Sequence, residues 1–451
     1  MAGGFDRSPV ERQRGDARRV DGGGGLRNPG RGHGRGRRSR AGGTGLDGTA
    51  RESRGPAGAG RRARTPPPGA GDGSRDGTGR PAPCRRTLLH PTARGFAPRA
   101  LGGSPAPENG VSLSVLDPFG AASDPALPTL SLALDPDSVR REFARLPRFS
   151  RGRGCSFDLT AIRVTRHKPG RRCLVEYDLD VERDGVREAF TIIGKLRVHR
   201  FGKSGYRLLS ALWKAGFDDT SEDGILVPEP IGVLPAFHMW MQRKVAGRPA
   251  AELLAPGATA LARRIAESAH KIHVCRVPPE SRHGMKEELG ILRECLGRMG
   301  QTEPRLRDRL DRLLQACERL GAAVAAPSNT GIHRDFYAHQ VIVDGSRLAL
   351  IDFDLYCEGD PGLDAGNFLG HVTEEALRQW GDPSALHDVE EALEERFVEV
   401  SGEAVRGSVK AYAALTLVRH VYLSTRFPER RAFTKDLLSL SEERVSARLS
   451  A

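Results

Sequence analysis

Residues 331–368 read GIHRDFYAHQVIVDGSRLALIDFDLYCEGDPGLDAGNF, and this stretch decides the fold. HQVIV, then Asp344-Gly345, then SRLALIDF has the alternation and turn signal of a β-hairpin. A two-residue turn at 344–345 pairs Val343 with Ser346. Counting outward, Asp352 comes opposite Tyr337, beside the loop that holds Asp335 and Gln340. Three polar groups separated by 5 and 12 residues therefore meet at the open end of one hairpin. A loop carboxylate such as Asp335 is suited to orient an acceptor hydroxyl and take its proton. Asp352, with the Gln340 amide oxygen, supplies hard oxygen donors of the kind Mg²⁺ prefers, and Mg²⁺ keeps several waters, so two protein ligands suffice.

Working outward, the pattern becomes globular from Asp135. Asp137 or Ser138 is placed to cap a short helix, VRREFARL. A meander follows: AIRVTRH (161–167), the turn His167-Lys168-Pro169-Gly170-Arg171-Arg172, CLVEYDLDV (173–181), Asp184-Gly185, and AFTIIGKLRV (189–198). The Asp-Gly pair is a type I′ hairpin signal. A helix is expected over 206–217 and two more strands over 225–234 and 237–245. These make a five-stranded, mostly antiparallel sheet. After Gly247 the helical period dominates, with candidates at 258–273, 285–299, 303–325, 362–371, 373–380, 386–399 and 405–426, interrupted by the hairpin. A β-rich lobe followed by a helical lobe is a bilobal α+β arrangement.

The chain has 451 residues and a net charge of +13. Residues 1–110 hold 22 Arg against 9 acids, which accounts for the whole excess, and the remainder balances at 48 basic and 48 acidic residues. The same segment carries 27 of the 54 Gly and 12 of the 30 Pro, too little apolar surface to fold. Three readings are open for it: an RG-rich arm binding RNA or another polyanion, a solvated tail, or sequence upstream of the true start. The charge changes abruptly at Val111, and no Met lies between Met1 and Met239. The boundaries drawn are a disordered extension over 1–130, an N-lobe over 131–245 and a C-lobe over 246–451. Seven scattered Cys without a CxxC pair argue against a disulfide framework and suit a reducing cytoplasm. No apolar run reaches membrane-spanning length, so no membrane partner is expected.

HxDxxxxQ followed by IDFD and GDPxxD resembles the aminoglycoside phosphotransferase/choline kinase group of enzymes, which share a protein kinase-like fold. In that group the usual string is HxDxxxxN, then ID[FW], then GDPxxD. The resemblance spans roughly 160–440 and implies ATP/Mg²⁺-dependent phosphorylation of a hydroxyl on a small molecule. It makes Asp335 the catalytic base, Gln340 and Asp352 the metal ligands, and His333 the brace of the catalytic loop. Asp360 and Asp364 become buried acids that hold the loop and the following helix start. Lys195, in TIIGKLR, matches the phosphate-pairing lysine. Gly170 and Arg171 lie in the turn that would cover phosphate, and the strand around Met241 falls where the adenine is gripped. Asp354 is open between a second metal and a local hydrogen bond. Tyr337 and Tyr356 are open between the acceptor pocket and the core. Two departures stand out. Gln replaces Asn at 340, and the helix after Lys195 contains no acid. Glu176, diagonal to Lys195 on the same sheet face, is the substitute the register offers. These departures also fit a nucleotide-binding protein without turnover, and a real RG-rich arm would fit an RNA-associated protein.

Overall fold

The computed structural model describes residues 113–150, 155–198, 203–325 and 329–450. The Arg/Gly/Pro-rich segment up to residue 112 lies outside these residues, as do the readings of it. In chain order the N-lobe contains β1 (Ser114–Leu116), α1 (Leu130–Leu134), α2 (Pro136–Phe143), α3 (Pro147–Ser150), β2 (Cys155–Lys168), β3 (Arg172–Arg183), β4 (Val186–Arg197), α4 (Lys203–Leu212), β5 (Ile225–Leu226), β6 (Pro230–Leu234) and β7 (Met239–Arg243). The C-lobe follows with β8 (Arg248–Pro249), α5 (Thr259–Val274), α6 (Met285–Thr302), α7 (Arg307–Ala323), β9 (Thr330–Ile332), β10 (Val341–Asp344), β11 (Arg347–Leu350) and β12 (Cys357–Gly359). It ends with α8 (Pro361–Trp380), α9 (His387–Ser401), α10 (Arg406–Arg426) and α11 (Thr434–Ser450). This is the bilobal α+β arrangement expected from the sequence.

The N-lobe sheet has six strands in the order β1-β2-β3-β4-β7-β6. Asp184 and Gly185 take φ of +51° and +79°, so the β3–β4 hairpin turns as its sequence dictates. The sixth strand, β1, pairs in parallel with β2 and lies within residues 1–130, which the composition assigned to the extension. The N-lobe therefore begins earlier. All three β1 side chains are exposed, so backbone hydrogen bonding rather than apolar burial holds the strand, and composition cannot register it. Expected strand 225–234 divides at its prolines, which cannot donate to a ladder. Ile225–Leu226 pairs with β11 in the lower sheet, and Pro230–Leu234 pairs with β7. Helix α2 is capped by Asp135, whose Oδ2 accepts from the Ser138 N–H at 2.9 Å, with Pro136 in the first turn, rather than by Asp137 or Ser138.

Strand alternation gives the sheet two different faces. Val175, Tyr177, Ile192, Leu196, Met239 and Met241 are buried beneath α1 and α2, where Phe143 meets the Tyr177 ring at 5.0 Å. Glu176, Lys195 and Trp240 occupy the other face, and the Trp240 ring lies against α4 at Gly205.

In the C-lobe, β10 and β11 pair Asp344 with Arg347 and Val341 with Leu350. The turn is thus Gly345-Ser346, one residue later than expected, with Gly345 at φ +58°. The Ile351 N–H donates to the Gln340 carbonyl at 3.0 Å and extends the register. Asp352 accordingly falls beside His339 and Gln340 instead of opposite Tyr337. The expected helices 362–371 and 373–380 are one helix, α8. Its Gly362, Gly366 and Gly370 form a groove for α10: a Cβ on Gly366 would stand 2.6 Å from the Val409 carbonyl oxygen and the Tyr412 Cβ. Helix α11, absent from the sequence reading, buries Leu437, Leu438 and Val445.

Candidate functional site

The loop after β9 is fastened by one carboxylate. Asp364, in the first turn of α8, is fully buried. Its oxygens accept from the His333 N–H at 2.8 Å and the Arg334 N–H at 2.7 Å, and His273 Nε2 lies 2.9 Å away. Asp360 caps α8 by accepting from the Gly362 N–H at 2.8 Å and the Ser408 hydroxyl at 3.1 Å. Burial nevertheless raises its pKa above the usual carboxylate range. Asp364 thus holds the loop and Asp360 the helix start. His333 is buried, packs at 4.6 Å against Phe353, and its Nε2 lies 3.0 Å from the Ile351 carbonyl. It links the loop to the end of β11, a bracing arrangement.

Two non-glycine residues in this region take left-handed backbone conformations: Arg334 at φ +69° and Asp352 at φ +64°. Such strain persists only where the surroundings impose it, and it concentrates at working sites. Asp335 follows Arg334. It is half-buried, and its carboxylate makes no hydrogen bond or ion pair with another described residue. Gln340 is buried, and its amide nitrogen lies 3.4 Å from the Tyr337 hydroxyl, so the atom Tyr337 meets is not the oxygen. The β10–β11 register brings Gln340 and Asp352 to the same end of the hairpin. Among the described residues no group of three His, Cys, Asp or Glu side chains is arranged to hold a metal. Asp352 and Gln340 together offer only oxygen donors, which suits Mg²⁺ completed by phosphate and water. Tyr356 belongs to the core: its hydroxyl donates to the Val277 carbonyl at 2.7 Å. Tyr337 is buried and stacks at 4.7 Å on His371.

A charged network lies under the loop. Glu288 is buried with His283 Nε2 at 2.5 Å and Arg419 Nη1 at 3.3 Å, and Arg419 also bonds Asn367. Asn367 in turn donates to the Phe336 carbonyl at 2.9 Å. Burial alone would raise the Glu288 pKa, but His283 and Arg419 bring it down to about 2. The sequence reading missed this network, whose members lie on α6, α8, α10 and the loop.

In the N-lobe, Lys195 on β4 pairs with Leu174 and Trp240, and its Nζ sits 4.7 Å from the centre of the Trp240 ring. The register does place Glu176 diagonal to Lys195, since Glu176 pairs with Ile193. Glu176 is engaged by Lys244 at 2.9 Å and by Arg163 at 3.6 Å. Three expectations need correction. Met241 pairs with Gly194, so its side chain leaves the sheet opposite Lys195 and is buried with Met239 in the core beneath α2. A one-residue step reverses the face, and Trp240 occupies the Lys195 side. The second correction concerns Gly170, whose N–H donates to Asp124 Oδ2 at 2.8 Å. The third concerns Arg171, whose N–H donates to the Lys168 carbonyl at 3.0 Å, so both groups expected to meet phosphate already have partners. Asp124 also lies 2.9 Å from His167 Nε2, and the Gly170 and His167 bonds hold its pKa below the usual range. Asp354 pairs with Arg197, two residues past Lys195, and so joins the hairpin end to β4.

Residues 205–406 match the model of the phosphotransferase enzyme family. That segment belongs to this family. It contains the loop, the hairpin end and the start of α8, the elements that carried the motif resemblance. Among solved structures, a choline/ethanolamine kinase family protein from Mesorhizobium loti aligns at 15% identity, covering 70% of this chain and 97% of its own, with a TM-score of 0.45. A choline kinase from Cryptosporidium parvum Iowa II aligns at 11% identity over 70% and 95%, with a TM-score of 0.42. A spectinomycin phosphotransferase aligns at 12% identity over 66% and 93%, with a TM-score of 0.40. No curated protein matches the chain. Among the described residues no helix is long and apolar enough to cross a membrane.

Proposed function

We propose that this protein is an ATP/Mg²⁺-dependent phosphotransferase that moves the γ-phosphoryl group to a hydroxyl of a small molecule. What supports the reading is the register that brings Gln340 and Asp352 to one hairpin end, together with Asp335, which has no bond to another described residue and follows the His333 and Arg334 amides that Asp364 fastens. Asp335 orients the acceptor hydroxyl and receives its proton. Asp352 and Gln340 are the residues that would hold Mg²⁺, which supplies charge neutralisation at the phosphates. Lys195 adds a positive charge from the N-lobe. Most of the acceleration comes from positioning and fixed charge, as is general for phosphoryl transfer.

The test is transfer from γ-labelled ATP to pooled sugars, amino alcohols and aminoglycosides by the full chain. Wild type is expected to label at least one pool, and Asp335→Asn is expected to fall by about 10²–10⁴-fold, the usual contribution of a positioned base. ATP binding with no labelling of any acceptor supports instead a nucleotide-binding protein without turnover, the reading that Gln340 and the acid-free helix α4 favour.

A further inference from the structure

Helix α4 and the turn that follows it, KSGYRLLSALWKAGF over 203–217, hold neither Asp nor Glu. The face of this helix that looks toward β4 and β7 meets Trp240. A Cβ on Gly205 would stand 3.1 Å from Trp240 Cζ2 and 3.3 Å from its Nε1, so α4 closely approaches the edge of the indole at a glycine. Trp240 is almost fully buried, in the same apolar cluster as Leu209 and Leu212 of α4 and Phe353. Its ring carries the Lys195 ammonium at 4.7 Å from the centroid, and the two residues are direct partners in the β4–β7 ladder. Helix, indole and ammonium thus form one stack.

We propose that Trp240 is a positioning residue for Lys195. Its ring holds the ammonium on the cleft side of the sheet and relays the position of α4 to it. The inference rests on the proposed role of Lys195 at nucleotide phosphate. An aromatic face attracts a cation through its quadrupole and adds no negative charge. A buried indole also restricts the rotamers of the long lysine stem before any ligand arrives, which reduces the ordering cost on binding.

Calorimetric titration of the full chain with Mg²⁺·ATP and with adenosine tests this. Trp240→Leu is expected to weaken ATP binding about tenfold while leaving adenosine binding within twofold, and Trp240→Phe, which keeps a ring, is expected to lose less than half of that effect on a logarithmic scale. In a Lys195→Met chain, Trp240→Leu is expected to change ATP affinity less than twofold, because the residue acts through the lysine. Phe and Leu variants weakened equally, or a Trp240→Leu effect that persists undiminished beside Lys195→Met, would overturn the inference, since either marks mere packing. Unchanged ATP affinity in Trp240→Leu overturns it as well. A folded wild type that binds no ATP overturns the nucleotide reading and this inference together. Should Trp240→Leu fail to fold, the comparison of Trp240→Phe with and without Lys195→Met decides: non-additive effects support the inference and additive ones refute it.

Discussion

Left-handed backbone at a non-glycine residue costs about 1–3 kcal/mol, and both Arg334 and Asp352 are held there on either side of the hairpin end. Asn tolerates that conformation better than Ala. Asp352→Asn is therefore expected to retain more stability than Asp352→Ala, by about 1 kcal/mol in chemical denaturation, while both lose any Mg²⁺-dependent nucleotide effect. Asp335 makes no described bond, so Asp335→Asn is expected to leave the melting temperature nearly unchanged; a large drop would show a structural role instead. Glu288 makes a pH-dependent contribution. Its folded pKa, about 2, lies below the ordinary value of 4.5, so its contribution to stability is complete above that ordinary value and is lost as pH falls toward the folded one. Denaturation of wild type and Glu288→Gln is expected to differ most at pH 6–7 and to converge between about pH 4.5 and 2. A difference that stays constant over that range contradicts the His283–Glu288–Arg419 account.

At the scale of elements, the α8–α10 contact gives a prediction whose sign is informative. Gly→Ala within a helix ordinarily stabilises by about 1 kcal/mol. At Gly366 the new Cβ would meet the Val409 carbonyl and the Tyr412 Cβ at 2.6 Å, so Gly366→Ala is expected to lower the melting temperature by several degrees. An increase would mean the two helices are not closely packed. The loop and hairpin elements were legible in the sequence because the motif is contiguous and its turn residues are conformationally specific. The turn itself slipped by one residue, because Asp344-Gly345 and Gly345-Ser346 both satisfy a two-residue hairpin and only the ladder distinguishes them. The phosphate-turn reading failed for a different reason. Gly170 is occupied by Asp124, 46 residues earlier, and no local pattern encodes that contact. Asp124→Ala is expected to release the Gly170 amide, seen as faster hydrogen exchange there; unchanged exchange would show that the turn holds without it. Met241 was misassigned by parity, since adjacent strand residues face opposite sides and the strand's position alone does not say which side is the cleft.

Over the whole molecule, the division into a sheet lobe and a helical lobe was legible from the change in hydrophobic period near Gly247. The edge strand β1, the lower sheet containing β5 and helix α11 were not. The first two depend on backbone pairing of two or three residues, and α11 on tertiary packing of only a few apolar side chains. The Arg197–Asp354 pair links the lobes at the Lys195 side, so nucleotide bound between them would stabilise the chain as a unit. Thermal unfolding of the full chain with Mg²⁺·ATP measures this most directly. At a ligand concentration about 100 times its dissociation constant, stabilisation should be about 2.7 kcal/mol, a shift of several degrees. The account predicts a shift that needs Mg²⁺, survives in Asp335→Asn and disappears in Asp352→Asn. A folded wild type that shows no shift with either ATP or GTP would contradict it.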